Sequence, residues 1–270
     1  VYKRQSCMLT AWEAASGRLR WRRGGEQNVP GRGEDFVGEP VPVGGQVLVV
    51  LRSGQELAVA MLSPADGSTV RQMTLCLLQQ EALRVPRYAP ICPTVAEGVA
   101  YIPSDAGLLF AVDVHRWECL WAARYPVVVP TYRGAPAGFA RGGGRSGLVA
   151  LPGPASPPVV VGRTVVLAPA DTTDVLGFDR DSGRLAWRFP AGPGRYLIGA
   201  LGNSVLVGGQ RITAIDAGSG QSIWLAGEFG RVTGRAGLAG TRLLVPTDRG
   251  RPMPIKTASK PSAMTLSRLN

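Results

Sequence analysis

The sequence predicts an all-β fold assembled from repeated antiparallel units, and two observations carry that prediction. Five times along the 270 residues a short apolar segment leads into a turn that, in its clean copies, places an acid four residues before a glycine and a tryptophan four residues after it. The chain between these turns consists of short runs rich in Val, Leu, Ile, Tyr and Trp, bounded by Gly, Pro, Asp and Ser. Such runs are typical of strands joined by tight turns.

The copies recur at intervals of roughly 37 to 66 residues, a range typical of solenoids and propellers. Three copies keep the acid, the glycine and the tryptophan. They are Glu13/Gly17/Trp21, Asp179/Gly183/Trp187 and Asp216/Gly220/Trp224. A fourth copy, Asp113/Trp117/Trp121, has lost the glycine. A fifth, Ser63/Gly67/Arg71, has lost both flanking residues.

The strand-like runs group into units that we expect to be four-stranded antiparallel blades. A half blade occupies residues 1–23, blades follow at about 40–75, 91–125, 158–189 and 203–226, and another half blade occupies 235–248. Residues 249–270 lack the expected continuation and are rich in Pro, Ser, Thr and basic residues. We therefore expect one repeat domain, residues 1–248, followed by a basic flexible tail.

Each conserved feature of the repeat has a physical role in this scheme. A hairpin between twisted strands needs a residue at positive φ, which glycine adopts without steric cost. The preceding Asp179 or Asp216 can accept a hydrogen bond from the turn backbone. The tryptophan lies on the next strand, where its ring can fill the gap between adjacent sheets. The tryptophans expected to be largely buried between sheets are Trp21, Trp121, Trp187 and Trp224.

In this order the residues resemble the tryptophan-docking repeat of the pyrroloquinoline-quinone-type β-propellers, over about residues 9–248. One unit shows the likeness most fully. It contains Gly98, Val99, Ala100, Tyr101, Ser104, Asp105, Gly107, Leu109, Ala111, Val112, Asp113 and Trp121. The resemblance implies a β-propeller of four-stranded antiparallel blades, which forms either a complete ring or part of one.

Two branches of that family differ in function. In the quinoprotein dehydrogenases the funnel holds the quinone and Ca²⁺ beside a vicinal pair of cysteines. This chain has no such pair, because its cysteines, Cys7, Cys76, Cys92 and Cys119, are far apart. The second branch contains cofactor-free scaffolds, including the propeller lipoprotein of the outer-membrane barrel-assembly machinery. We expect the chain to be closer to this branch and to bind no cofactor, and the resemblance alone favours the periplasm or cell envelope.

The chain begins within the second half of one unit and ends after the first half of another. A propeller often closes its ring by completing one blade with strands from both ends of the chain, so these halves could join. The alternative is that the segment belongs to a longer propeller, because an eight-bladed ring needs more strands than this.

Long connections rich in Gly, Pro and Arg separate several units, chiefly at residues 24–34 and 133–158. Irregular connections of a propeller lie at its faces, where partners bind. The candidate partner-facing residues are Arg84, Arg87, Tyr88, Tyr132 and Arg133. The alternative for any one of them is a solvated linker.

The net charge is +11, from 30 Lys and Arg against 19 Asp and Glu. A basic surface can attract nucleic acid, anionic lipid or an acidic partner. The excess is spread over every repeat, however, without the concentrated basic run and exposed aromatics of a nucleic-acid groove. The densest group is Arg18, Arg20, Arg22 and Arg23. Alternation places Arg18, Arg20 and Arg22 on one face of a strand, and we expect that face to be solvated.

Motifs for catalysis and for metal binding are missing from the sequence. His115 is the only histidine, and the chain has neither a Gly-x-Ser-x-Gly elbow nor a Cys-x-x-Cys motif. Cys76, Cys92 and Cys119 are expected to be buried thiols. The sequence thus predicts a non-catalytic scaffold that binds a protein partner. The alternatives are a quinoprotein-type cofactor-binding propeller and a basic binder of nucleic acid or anionic surfaces.

Overall fold

The computed structural model describes residues 7–24, 34–78, 90–104, 106–127, 155–209, 211–226, 233–248 and 253–256. Within these ranges the fold is all-β, and its strands form six antiparallel sheets that follow one another along the chain. The four-stranded sheets confirm the predicted fold class. We number the sheets one to six in chain order.

The first three sheets cover the chain as far as residue 124. Sheet one contains β1 (Leu9–Trp12) and β2 (Leu19–Arg23). Sheet two contains β3 (Glu34–Phe36), β4 (Val41–Val43), β5 (Gln46–Ser53), β6 (Glu56–Leu62) and β7 (Thr69–Leu77), with β3 and β4 both paired to β5. Sheet three contains β8 (Thr94–Ala96), β9 (Val99–Pro103), β10 (Leu108–Asp113) and β11 (Glu118–Arg124).

The remaining sheets begin at residue 159. Sheet four contains β12 (Val159–Val161), β13 (Thr164–Leu167), β14 (Asp174–Asp179) and β15 (Leu185–Pro190). Sheet five contains β16 (Tyr196–Leu201), β17 (Ser204–Gly208), β18 (Ile212–Asp216) and β19 (Ser222–Ala226). Sheet six contains β20 (Gly237–Ala239), β21 (Arg242–Val245) and β22 (Met253–Lys256).

Each four-stranded sheet is a meander, in which every strand pairs with the next along the chain. We call its strands A to D in chain order. The same letters are used for the other sheets, and in sheet one β1 and β2 occupy the positions of strands C and D. Because consecutive strands are antiparallel, the A–B and C–D turns lie at one end of the sheet and the B–C loop at the other. Strand D ends, and the next strand A begins, at the end that carries the B–C loop.

The hydrophobic core lies between consecutive sheets. In sheet two, Val50 packs toward sheet three, whereas Val49 and Leu51 pack with Leu9 of sheet one. The same alternation continues in sheet four, where Val165 packs toward sheet three and Val166 toward sheet five. Strands B and C therefore bury both faces, which explains why they read as continuous apolar runs. Burying one such side chain contributes about 1.5–3 kcal/mol.

Some observed strand limits differ from those expected from the sequence. Sheet two begins with β3 at residue 34, before the expected limit near 40, and sheet five begins with β16 at residue 196, before 203. Strand A of sheet five is hard to recognise because a bulge at Leu197/Gly199 interrupts its pairing with β17. Alternation along the sequence is lost at such a bulge.

The predicted flexible tail is wrong for four of its residues. Residues 253–256 form β22, which pairs with β21 through the register Leu243↔Ile255. The backbone of β21 offers hydrogen-bonding groups that can pair with a strand of almost any composition, and the composition of the tail does not reveal this. Residues 249–252 and 257–270 lie outside the described residues.

The two half blades do not join within the part of the chain that the structure describes. Strands β1 and β2 pair with each other, and neither pairs with β20 or β21. The edge of β21 that strand C would occupy is already taken by β22. That pairing gives the sixth sheet its own third strand.

Candidate interaction face

The C–D turns of sheets one to five each contain the same kind of backbone hydrogen bond. The residue at the glycine position donates its N–H to the carbonyl of the residue four places earlier. The pairs are Gly17 to Glu13, Gly67 to Ser63, Trp117 to Asp113, Gly183 to Asp179 and Gly220 to Asp216, at 2.8 to 2.9 Å. The four glycines have φ between 68° and 74°, and Trp117 has φ 61°. The C–D turn thus has positive φ at this position in sheets one to five, with or without glycine.

Where an acid precedes the C–D turn, its carboxylate also hydrogen-bonds to the turn. Asp216 Oδ1 accepts from the backbone N and Oγ of Ser219 at 2.8 and 2.9 Å. Asp113 Oδ1 accepts from the backbone N of His115 and of Arg116, each at 2.8 Å. These bonds favour the charged form and lower the pKa of both carboxyls below the ordinary value near 3.8. The carboxylates therefore stabilise the turns as anions.

Three repeat tryptophans, Trp21, Trp121 and Trp187, dock on the C–D turn of the following sheet. The Trp187 ring lies on Gly220, and its Nε1 donates to the carbonyl of Ala217 at 2.9 Å. Trp121 lies on Gly183 in the same way, with Nε1 2.9 Å from the carbonyl of Arg180. Trp21 repeats the arrangement on Gly67, with Nε1 3.0 Å from the carbonyl of Pro64.

The four repeat tryptophans are of intermediate burial: most of the surface of each residue is covered, and a smaller part stays exposed. The reason is geometric, because a turn covers one face of the indole while outer strand D leaves the other side near solvent. Trp224 has the same intermediate burial and packs with the core between sheets five and six. All four rings lie at junctions between sheets.

A small residue opposite each tryptophan is the part of this junction that sequence reasoning missed. Trp121 is opposite Ala111, Trp187 opposite Gly177 and Trp224 opposite Ala214. A Cβ at Gly177 would lie 2.0 Å from the Trp187 ring, so the indole uses this space. The signal in the sequence is a small residue two places before the acid, and Ala11 before Glu13 shows it as well.

The junction between sheets two and three is built differently. Met61 takes the small-residue position and Arg71 the tryptophan position, and the two are register partners. Arg71 Nη1 donates to the carbonyl of His115 at 2.9 Å, so its head still reaches the turn of the next sheet. Trp117 instead packs against the core between these sheets, and its Nε1 has no hydrogen-bond partner among the described residues. At this junction the aromatic ring therefore comes from the C–D turn of sheet three and not from strand D of sheet two.

These turns lie together at one end of the sheets, which we call the turn face and define by the A–B and C–D turns. Backbone bonds join the two kinds of turn, as between Ala217 N and the carbonyl of Asn203 at 2.9 Å. Arg180 makes an ion pair with Glu97 of the neighbouring sheet. The turns are short and bonded to one another, so this face contains little irregular chain.

The opposite end, which we call the connection face, carries the B–C loops and the D–A connections. Tyr125 N donates to the carbonyl of Gly107 at 2.9 Å, which ties the end of strand D to the B–C loop. Connections leave and return here between residues 23 and 34, 77 and 94, 124 and 159, 190 and 196, and 226 and 237. The candidate residues Arg84, Arg87, Tyr88, Tyr132 and Arg133 belong to two of these connections but lie outside the described residues.

A buried polar cluster holds the connection face between sheets three, four and five. The Arg195 side chain is 1% exposed, and its Nε donates to the carbonyl of Asp174 at 3.1 Å and its Nη2 to that of Pro169. Burial lowers the pKa of the Arg195 guanidinium to about 10. Tyr125 Oη donates to the carbonyl of Ser104 at 2.7 Å. These bonds fix the loops that end strands B and D.

The described residues contain no group of three or more His, Cys, Asp or Glu placed to hold a metal ion. Cys7, Cys92 and Cys119 are free thiols. Cys92 is buried, and desolvation raises the pKa of its thiol to about 12. The prediction that Cys119 is buried is wrong, because it lies on the exposed side of outer strand β11. No helix among the described residues is long and apolar enough to cross a membrane.

Consecutive four-stranded meanders that pack face to face, with tryptophans docked between them, define the chain as a β-propeller. No protein-family model and no curated protein matches its sequence. Among solved structures it is similar to BamB from Moraxella catarrhalis, with a TM-score of 0.53 and 16% identity over 91% of this chain and 78% of that chain.

Two further solved structures show the same fold. A chain of the Mitotic Checkpoint Complex has a TM-score of 0.56 and 13% identity, over 88% of this chain and 64% of that chain. Sqt1 from Saccharomyces cerevisiae has a TM-score of 0.55 and 13% identity, over 93% of this chain and 66% of that chain. The chain therefore spans just under two thirds of the length of each. At such identities the similarity establishes the propeller fold.

Proposed function

We propose that this chain is a non-catalytic scaffold that binds a protein partner through its connection face. The observation that carries the proposal is the segregation of loops. The turn face consists of short turns that bond to one another, whereas every D–A connection begins and ends at the connection face. Irregular loops held by a rigid frame are where propellers and other β folds bind partners.

The polar cluster supports this role by fixing the loops of the connection face. Arg195 bonds two carbonyls of the fourth sheet, and Tyr125 bonds the B–C loop of the third sheet. Loops that are already ordered lose less entropy on binding, which improves affinity without additional contact area. Several such loops in fixed relative positions can engage one partner at several points.

The similarity to BamB supports a finer proposal, namely that the chain serves in the assembly of a cell envelope and uses no cofactor. It agrees with the resemblance of the repeats to the scaffold branch of the quinone-type propellers. The Mitotic Checkpoint Complex shows that a chain of this fold can be a component of an assembly.

Site-specific photocrosslinking in the source cells tests the proposal. Benzoylphenylalanine is placed at Val127 or Pro193 on the connection face, and at Ala15 or Ala65 on the turn face; all four side chains are exposed. We expect one protein to be crosslinked from both connection-face positions and not from the turn face. Equal yields from both faces, or no adduct from the connection face, would contradict the proposal.

A further inference from the structure

A groove of about 310 Å³ lies between sheets four and five at the connection face. One wall is the segment that leaves β15, from Phe189 to Pro193. The other is a row of side chains across sheet five. Val207, Thr213 and Leu225 come from β17, β18 and β19 and are neighbours in register.

The groove presents apolar side chains to solvent. Leu225 is 53% exposed. Leu225 and Trp224 pair in consecutive register with Thr213 and Ala214, so their side chains lie on opposite faces of β19. A partner that fills the groove removes the exposed surface of Leu225 from water, which favours binding.

The described lining of the groove carries charge of one sign, which is positive. Arg211 lines it, is exposed and makes no ion pair with any described residue. Among the described residues that line the groove, none is an aspartate or glutamate. Residues 257–270 of this chain carry Lys260 and Arg268 and no acid, so their charge repels that of Arg211. The groove complements an apolar ligand that also carries negative charge.

We infer that the groove binds a short extended segment of a partner protein in which a bulky apolar side chain is flanked by acidic residues. The inference rests on the proposed scaffold function and names the chemistry of the partner. The apolar side chain packs between Phe189 and Leu225, where it excludes water from both. A neighbouring carboxylate accepts charge-assisted hydrogen bonds from Arg211, which fixes the direction of the segment.

The test uses three fluorescein-labelled, capped heptapeptides with the full chain. The probe is Ser-Asp-Leu-Asp-Phe-Glu-Ser, and the two controls replace either its acids by Lys or its Leu and Phe by Ser. Fluorescence anisotropy measures binding to the parent and to the Leu225→Ser and Arg211→Glu variants. The matched controls are Leu120→Ser and Arg124→Glu, on exposed positions of outer strand β11.

We expect the acidic apolar probe to bind at least about tenfold more tightly than either control peptide. Leu225→Ser and Arg211→Glu should each weaken its binding by about tenfold, while the β11 variants change it by less than about twofold. Equal binding of the three peptides, or unchanged binding by both groove variants, overturns the inference. If the probe fails but the connection face still crosslinks to a partner, the scaffold function stands and only the groove assignment falls.

Discussion

The indole of Trp187 rests on Gly220 of the next sheet, and its Nε1 donates to the carbonyl of Ala217 at 2.9 Å. A Cβ added to Gly220 would lie 2.5 Å from Cδ2 of the ring, and Gly220 has φ 72°. The turn geometry and the docked ring therefore both require glycine at this position. The junction between these two sheets therefore depends on the absence of a Cβ at Gly220.

Gly220→Ala should therefore destabilise the fold by about 2–4 kcal/mol, because the positive φ and the contact with Trp187 both become unfavourable. The matched control is Gly202→Ala, at φ 57° with no atom within 4 Å of its Cβ. It should cost only about 1–2 kcal/mol. Urea unfolding of both variants measures the difference, and equal costs would show that the docking contact contributes nothing.

The junction between sheets two and three should show strong coupling between Met61, Arg71 and Trp117. Trp117→Gly alone should destabilise by about 2 kcal/mol, because the loss of the packed ring exceeds the relief of its φ of 61°. In the Met61→Ala, Arg71→Trp background the same change should cost at least about 1 kcal/mol less, since a tryptophan can then dock on the new glycine. A double-mutant cycle in urea measures the coupling, and additive effects would contradict this account.

The stability contributed by Asp216 should disappear in acid. Hydrogen bonds from the backbone and hydroxyl of Ser219 lower the pKa of Asp216 below 3.8 in the folded protein. A lowered folded-state pKa contributes stability that is present above the unfolded value and is lost as the pH falls through the folded value.

Asp216→Ala should therefore be less stable than the parent near pH 7, and the difference should shrink as the pH falls below about 4. Chemical unfolding at a series of pH values measures both curves. Ser219→Ala is the control that keeps the acid, and it should give a smaller difference near neutral pH. Curves for Asp216→Ala and the parent that stay parallel into acid would show that the carboxylate is not stabilised by the turn.

The repeated architecture could be predicted from the sequence because its requirements are local. A positive φ at Gly183 and a hydrogen-bond acceptor at Asp179 follow from the turn alone. The register is less accessible, since a bulge between Gly177 and Phe178 decides that Trp187 lies opposite Gly177. The small residue two places before the acid can be seen in the sequence, but its contact with the tryptophan follows only from the pairing of the two strands.

The connection face was less predictable because its contacts join residues distant in sequence. Arg195 gives no signal of burial in the sequence, yet it is held by carbonyls of Pro169 and Asp174. The groove beside Leu225 likewise arises from the spacing of two sheets. Loops are subject to weaker geometric constraints than turns, so composition indicates where they occur but not what they contact.

We expect the repeat tryptophans to act as structural wedges and the propeller to bind no quinone. Titration with pyrroloquinoline quinone and Ca²⁺, followed by intrinsic tryptophan fluorescence, tests this expectation. Trp12→Phe provides a background that lacks the indole with 62% exposure, which limits non-specific quenching. We expect no saturable quenching in either protein, whereas saturable Ca²⁺-dependent quenching by the quinone would show that the propeller binds it.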